Sequence, residues 1–567
     1  MSPIPLTRWG LSAGDLTNLY NSARFDSQGN LLSSTTMPLS LGAYGLAGGR
    51  RYAVVMAPNT SSVGWNGDGT DESAADYQTR FNVQFSIGCR PYLVSPTEDD
   101  SFASVFCDDQ IGPYEAQNGL TPAEYQQTFN TLVAEGYFPI HVQGGGFGDN
   151  IRLAAIFTKT ETITQRMSTV TGSPASAAND SNQAKIDAAM QNVMATYGVR
   201  QAGLALVSGT RLVLARAYTY AEPNYPIAQP TTAFRQASCS KTITSILIHQ
   251  LIHEGKLSLS DTMQSILNLK SPNGGAPADS NFSKITVSHL LDHIAGLTQG
   301  GADATVVSSF PGAQLPITPA QFASWLAGQN LVAVPGTPQA WAYSSNGYFL
   351  LGQIVAKLRG GAYIDAVSKY VATPLGLQNT RLAVSPLGDQ PANEARYTDI
   401  TMPVVKSVIY ADQRLVPSGY GDTNFSISSS AGGISSAAVD MARILAALNL
   451  SAPDNPLLAP SEIQSMFQAA AATFTNTSGQ VQGMRAHGWD SCTGSIGSWQ
   501  AQKGGSWVDC QSCVAHFPNG ISMSVAWAHS IVQSDWYPWF PEVIGPATAE
   551  DWGATDLFPA FGMPSLS

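Results

Sequence analysis

Charge is scarce in this chain of 567 residues: Asp, Glu, Lys and Arg together make up only 12% of it, about half the usual share. The charge present is mostly negative, with 28 Lys and Arg against 40 Asp and Glu, a net charge of −12, and no basic cluster. Without such a cluster to neutralise phosphates, nucleic acid and anionic membranes are excluded as partners. No run of about 18 apolar residues occurs, so no membrane-spanning helix is expected. The opening MSPIPLTRWG lacks a charged region followed by an apolar stretch and does not read as a signal peptide. Glycine (52) and proline (34) are plentiful and tryptophan (11) is high. This composition fits a soluble exported enzyme, and the start leaves two readings: a cytosolic protein, or an exported one whose leader is absent from the chain.

Cysteine is also sparse: Cys89, Cys107, Cys239, Cys492, Cys510 and Cys513. An even number suits disulfides. Cys89 and Cys107 flank one expected hairpin and are the favoured pair; Cys492 suits Cys510 or Cys513, and Cys239 the one remaining. As a zinc site, Cys510-x-x-Cys513 lacks a second such pair or paired histidines. His289-x-x-x-His293 lacks the glutamate that zinc peptidases carry after the first histidine. No metal or cofactor is therefore expected. Six sequons, at Asn59, Asn179, Asn281, Asn424, Asn449 and Asn476, are glycosylation candidates compatible with secretion.

What the chain does have is Ser238-Cys239-Ser240-Lys241, opening the run TITSILIHQLIHEGK. A hydroxyl and an amine three residues apart lie on one helix face. The helix is apolar nearly all round, so it should be buried. Desolvation then disfavours the charged amine and lets Lys241 take a proton from Ser238. Such a centre also needs a proton shuttle and oxyanion donors. Tyr343, just before the helical pattern Tyr348, Leu350, Leu351, Ile354 and Val355, is the candidate shuttle. Lys503-Gly504-Gly505 would open a strand whose glycines allow close backbone approach. Pro518-Asn519-Gly520 reads as a hairpin turn between two later strands.

Together these segments resemble the penicillin-recognising serine hydrolases: class C β-lactamases, D-alanyl-D-alanine peptidases and related esterases. The likeness extends to LIHEGKLSLSDTM, ITVSHLLDHIAGL, PGTPQAWAYSSNGYFLLG, VATPLGLQNT and SAGGISSAAVDMARIL, in the family's order between about Ile186 and His529. It implies an α+β fold: an antiparallel sheet flanked by helices, with a helical lobe. It implies Ser238 as nucleophile, Lys241 as its base and Tyr343 as second proton-transfer group. Lys503 would head the substrate-binding strand, and the Ser238 and Ser506 amides would form the oxyanion hole. Two departures stand out. Ser345 occupies the place where the tyrosine motif often has Asn, and Lys503-Gly504-Gly505 has no threonine. Both argue against efficient β-lactam hydrolysis.

The N-terminal part repeats itself. SAADYQTRFNVQFSIGCRPYLV recurs as TPAEYQQTFNTLVAEGYFPIHV, with Tyr77, Phe81, Gly88 and Pro91 matching Tyr125, Phe129, Gly136 and Pro139. In an earlier copy, Leu16 and Tyr20 align with Tyr125 and Phe129. Each unit should be a short helix, a glycine and two strands, closing on RRYAVVMAP, SFASVFCDD and IRLAAIFTK. Units of this size pack on their neighbours, here as a scaffold or as a grip on a protein substrate. GSPASAANDSNQ reads as a linker. The expected division is a repeat domain at 1–172, a linker at 173–183 and a hydrolase domain at 184–567.

This combination resembles the polyglycine hydrolases, fungal secreted endopeptidases that cut glycine–glycine bonds in plant chitinase linkers. The resemblance implies a secreted, monomeric serine endopeptidase acting on a glycine-rich protein such as a plant class IV chitinase. Gly505, Ser506 and Ser345 would lie along the substrate, and Trp507, Trp341 or Trp489 would narrow its channel. The alternative is a β-lactamase-like esterase or D-aminopeptidase acting on small molecules.

Overall fold

A computed structural model describes residues 6–24, 36–59, 63–109, 111–160, 166–175, 180–223, 225–300, 303–397, 404–452, 454–468, 474–475, 481–482, 487–493, 500–529, 531 and 536–566. The first part is three units of one design. Unit one is β1 (Leu6–Leu11), α1 (Ala13–Arg24), β2 (Thr36–Tyr44) and β3 (Arg51–Pro58). Unit two is β4 (Trp65–Ser73), α2 (Ala74–Ser86), β5 (Arg90–Pro96) and β6 (Ser101–Cys107). Unit three is β7 (Tyr114–Leu120), α3 (Pro122–Ala134), β8 (Phe138–Gly145) and β9 (Arg152–Thr158). In each, the last strand is central in a three-stranded antiparallel sheet, between the first strand and its hairpin partner.

The repeat's matching residues hold matching positions. Gly88 and Gly136 both leave their helices at positive φ, +82° and +87°, where a Cβ would be strained. Tyr77 stacks on Phe102 at 5.3 Å, and Tyr125 meets Phe157 at 6.3 Å. The outer strands bulge just after Pro38, Pro91 and Pro139, because proline has no N–H for the ladder. Thr121 and Glu124 close a reciprocal cap on α3. The leading strands β1, β4 and β7 correct the expected helix-plus-hairpin unit. WNGDGTDES and YEAQNGL are bulged, glycine-containing edges with no alternating apolar signal.

The second part is built on seven antiparallel strands: β10 (Met167–Pro174), β11 (Gln201–Ser208), β12 (Arg211–Ala221), β15 (Ser491–Thr493), β16 (Gln500–Trp507), β17 (Cys510–His516) and β18 (Ile521–Trp527). Their order is β10-β12-β11-β18-β17-β16-β15. A smaller sheet pairs β13 (Ala233–Arg235) with β14 (Ile434–Ala437). The expected boundary is corrected here, since β10 pairs with β12 throughout. The hydrolase sheet therefore starts inside 1–172, and α4 (Asp180–Tyr197) starts inside the expected linker. Only its last three residues, 172–174, fall in the stretch read as linker, and as a polar edge strand MSTVTGSP carries no apolar signal.

One face of the large sheet packs on α4 and α9 (Trp536–Ala549). The other faces α7 (Ala438–Leu448), α8 (Pro460–Gln468) and α5 (Ser240–His253), with α6 (Ser345–Arg359) packed against α5 in the same core. The two parts meet at a buried charge cluster. Asp108, just past β6, accepts from Arg166 and Arg200, both at 3.0 Å. Glu222, just past β12, accepts from the same two guanidiniums.

Candidate active site

Ser238 is held by the turn between β13 and α5. Arg235 forms a buried ion pair with Asp509 and donates to the carbonyls of Gly419 and Val384 at 2.6 and 2.8 Å. Gln236 donates its backbone N–H to Ile434 at 2.7 Å. Ala237 then takes φ +44°, a left-handed conformation that a non-glycine residue adopts only when its surroundings impose it. The turn leaves Ser238 half-buried while Cys239 and Lys241 are buried. Behind it lies β16. A Cβ on Gly505 would overlap the Gln236 carbonyl and stand 2.9 Å from Ser238 N, so only glycine admits the strand at this distance.

Lys241 Nζ lies 3.2 Å from Ser238 Oγ, 3.4 Å from Ser345 Oγ and 2.6 Å from the Ala431 carbonyl. Tyr343 precedes α6, which Ser344 caps by accepting from Gly347 N–H at 3.1 Å. His293, itself at φ +60°, accepts the Ser344 N–H on Nδ1 at 3.0 Å and packs its ring 4.7 Å from the Tyr343 ring. Lys503 donates to Tyr343 Oη at 3.3 Å and to Asp490 Oδ1 at 2.5 Å. Asp490 also accepts the Gly504 N–H at 3.0 Å. Three distant segments thus place an alcohol, two amines and a phenol around one point.

The electrostatics follow from burial and from two like charges. Burial pushes the Lys241 amine below its ordinary value, and Lys503 pushes it the same way. Burial alone would raise the Tyr343 phenol, but Lys241 and Lys503 outweigh it and the phenol is lowered. Burial opposes charge on Lys503, yet the Asp490 carboxylate and the Tyr343 phenol hold its amine above the ordinary value. Lys503 is thus the amine held toward its charged form, beside an amine and a phenol that are both lowered.

Ser345 is exposed with its hydroxyl toward Lys241, while the Asn346 amide turns away to the carbonyls of Thr298 and Gly300, both at 2.8 Å. Ser506 is exposed beside Gly505. Trp507 is half-buried, its indole N–H donating to Gly432 O at 3.0 Å, and Trp341 is half-buried. Trp489 is a correction: it is 3% exposed, packed against Phe467 and His516, and cannot line a channel.

The expected disulfides are corrected too. No disulfide joins Cys89, Cys107, Cys239, Cys492, Cys510 or Cys513, and all six are buried. Several thiols have other partners: Cys107 Sγ meets Asp109 at 3.0 Å, Cys239 Sγ meets Lys503 O at 3.2 Å and Cys510 Sγ meets Arg235 O at 3.5 Å. Among the sequons, Asn424 is a further correction. It is 6% exposed and donates to Ile317 O at 2.9 Å, so no glycan fits. The Asn449 amide is spent on Gly209 O and Ser522 Oγ at 3.0 and 3.1 Å. Asn59 closes its own turn onto Val63, and Asn281 is half-buried, accepting from Lys284. Asn179 and Asn476 lie outside the described residues.

Sequence reading missed Asp490 and His293 as parts of the site. Asp490 stands thirteen residues before Lys503 in HGWD, a stretch without pattern. His293 carried a signal, the family-like LLDHIAGL, but one that said nothing of Tyr343.

A family model described as Beta-lactamase matches residues 186–526. Another, described as "Polyglycine hydrolase-like, structural repeat", matches residues 111–160. Curated relatives include the D-alanyl-D-alanine-carboxypeptidase/endopeptidase AmpH of Escherichia coli (strain K12), 29% identical over 196 residues, 34% of this chain and 48% of AmpH. Penicillin-binding protein 4 of Amycolatopsis lactamdurans is 30% identical over 169 residues, 28% of this chain and 41% of that protein. The chain thus spans about half the length of the curated relatives it matches. Similar solved structures include the octameric penicillin-binding protein homologue from Pyrococcus abyssi, at TM-score 0.47 and 21% identity over 66% of this chain and 79% of that one. A class C beta-lactamase aligns at TM-score 0.47 and 17% identity over 65% and 98%.

Proposed function

The chain belongs to the beta-lactamase family, and from that premise we propose that it is a secreted, monomeric serine endopeptidase. Its proposed substrate is a glycine-rich linker, such as that of a plant class IV chitinase, cut between glycines. One observation carries the reading: Ser238 Oγ, Lys241 Nζ and the phenol of Tyr343 meet beside Lys503. Lys241 lies 4.9 Å from the Tyr343 ring centroid and Lys503 4.7 Å.

The mechanism follows from that contact. Neutral Lys241 takes the Ser238 proton as Oγ bonds to the peptide carbonyl carbon. In this reading the amides of Ser238 and Ser506 stabilise the developing oxyanion. Tyr343 passes a proton to the nitrogen as the C–N bond breaks and the amine leaves. Water then attacks the acyl ester, and Ser238 recovers its proton.

A peptide substrate suits the strand edge. β15 pairs only with Gln500, Ala501 and Gln502 of β16, so among the described residues no strand covers the outer edge beyond them. An extended chain can add there as a further strand. A polyglycine chain has no Cβ to clash with the fixed indole of Trp507.

The test is to offer the protein a glycine-rich peptide, a nitrophenyl ester and a chromogenic cephalosporin. Peptide cleavage, lost in Ser238→Ala at nearly unchanged Tm, supports the reading. Ester turnover with intact peptide replaces it by the esterase alternative. Turnover retained by Ser238→Ala removes the nucleophile assignment.

A further inference from the structure

Outside the proton-sharing groups lies a buried chain of titratable side chains for which the proposed mechanism has no use. His249, on α5 two turns beyond Lys241, places Nε2 2.9 Å from Nδ1 of His487. His487 Nε2 lies 3.2 Å from Asp292 Oδ1. Both imidazoles are about 1% exposed. The Asp292 carboxylate beside Nε2, at ion-pair distance, favours the proton on that nitrogen, which leaves Nδ1 to accept from His249. The ring is thereby held from both sides, by one hydrogen bond and one carboxylate contact. The His487 backbone N–H is tied as well, to Met466 O at 3.2 Å.

The next residues lie flat against the same helix. Gly488 sits at φ +85°, where a Cβ would be 2.9 Å from Lys241 O and from Ser245 Cβ. Asp490 closes the segment, its N–H donating to Gln502 O at 2.8 Å and its carboxylate meeting Lys503 and Gly504. From this geometry we infer that His487 is a positioning residue, clamped between His249 and Asp292 so that Asp490 is delivered to Lys503. The inference rests on the acyl-enzyme reading above. A filler ring without nitrogens would keep the packing but release the clamp. Asp490, whose side chain is 37% exposed, would then leave Lys503 for water.

The experiment is a double-mutant cycle, read as the rate at which a fluorophosphonate labels Ser238, with Tm measured alongside. His487→Phe and Asp490→Ala should each slow labelling about tenfold, the scale of one charge-assisted hydrogen bond. Because one acts through the other, the double variant should stay about tenfold slow rather than about a hundredfold. His487→Gln, which restores the donor to Asp292, should recover part of the rate. Labelling of His487→Phe at the wild-type rate, or multiplied losses in the double variant, overturns the inference. If His487→Phe does not fold, Asp292→Asn weakens the same clamp from its far end and takes its place in the cycle. A wild-type protein that takes no label at all instead removes the acyl-enzyme reading.

Discussion

Two lysines with opposite tasks bracket one phenol. Lys241 is buried without a carboxylate and loses its charge readily, while Lys503, equally buried, keeps its charge through Asp490. The same amine therefore behaves differently according to one neighbouring carboxylate. Because Lys503 lowers both Lys241 and Tyr343, removing its charge must raise both. In the proposed mechanism the base form is the active one, so activity would appear as pH rises through these groups. Lys503→Met should move the acid limb of the kcat/KM profile to higher pH, by about one unit or more. Unpairing Asp490 acts in the same direction, since its charge also raises both groups. A limb left in place, or moved to lower pH, would show that Lys503 does not set the proton-sharing pair. The measurement is a pH–rate profile of wild type and variant on whichever substrate is turned over.

At the level of elements, the site is a contact between a strand and a turn. Neither β16 nor the start of α5 is a site alone; the chemistry needs them pressed together at Gly505. Gly505→Ala adds one methyl group where the Gln236 carbonyl and Ser238 N already stand. Backbone on both sides cannot yield cheaply, so the strand or the nucleophile turn must shift. A shift of about 1 Å is enough to lower kcat/KM about a hundredfold, and crystallography of the variant should show β16 displaced. Gly504, with Asp490 Oδ2 at 3.9 Å from its Cβ position, should tolerate alanine far better. The two neighbouring glycines look alike in sequence, and only the sheet tells them apart. Edge strands were the least readable elements. β4, β7 and β10 are polar, bulged or partnered on one side only, so no alternation announced them. Central strands such as β9, β11 and β12 bury most of their residues and stood out as apolar runs.

At the scale of the whole molecule, the repeat units and the hydrolase sheet are joined through charge. Asp108 and Glu222 together neutralise Arg166 and Arg200 in a buried cluster. Burial would raise the Asp108 carboxyl, but the two guanidiniums hold it below its ordinary value. Asp108→Ala leaves two buried cations facing one carboxylate. Breaking such a cluster from one side costs about 3–5 kcal/mol. Calorimetry should show a lower Tm and a transition that separates into two, as the parts stop unfolding together. One unchanged transition would mean that apolar contacts, not this cluster, couple them.

The chain by itself determined the chemistry's cast and the repeat. Ser238 and Lys241 are one helical turn apart, a local relation that spacing alone expresses, and the period linking Tyr77 with Tyr125 needs no third dimension. The α+β class was implied by the family resemblance that the motifs carry. Tertiary structure decided the rest. It placed His293 under Tyr343, gave Asp490 to Lys503, sent Trp489 into the core, kept the six cysteines out of disulfides and drew β10 into the sheet. Each of these depends on contacts between residues far apart in sequence, whose local signals are weak because their energies arise only when burial removes water from both partners.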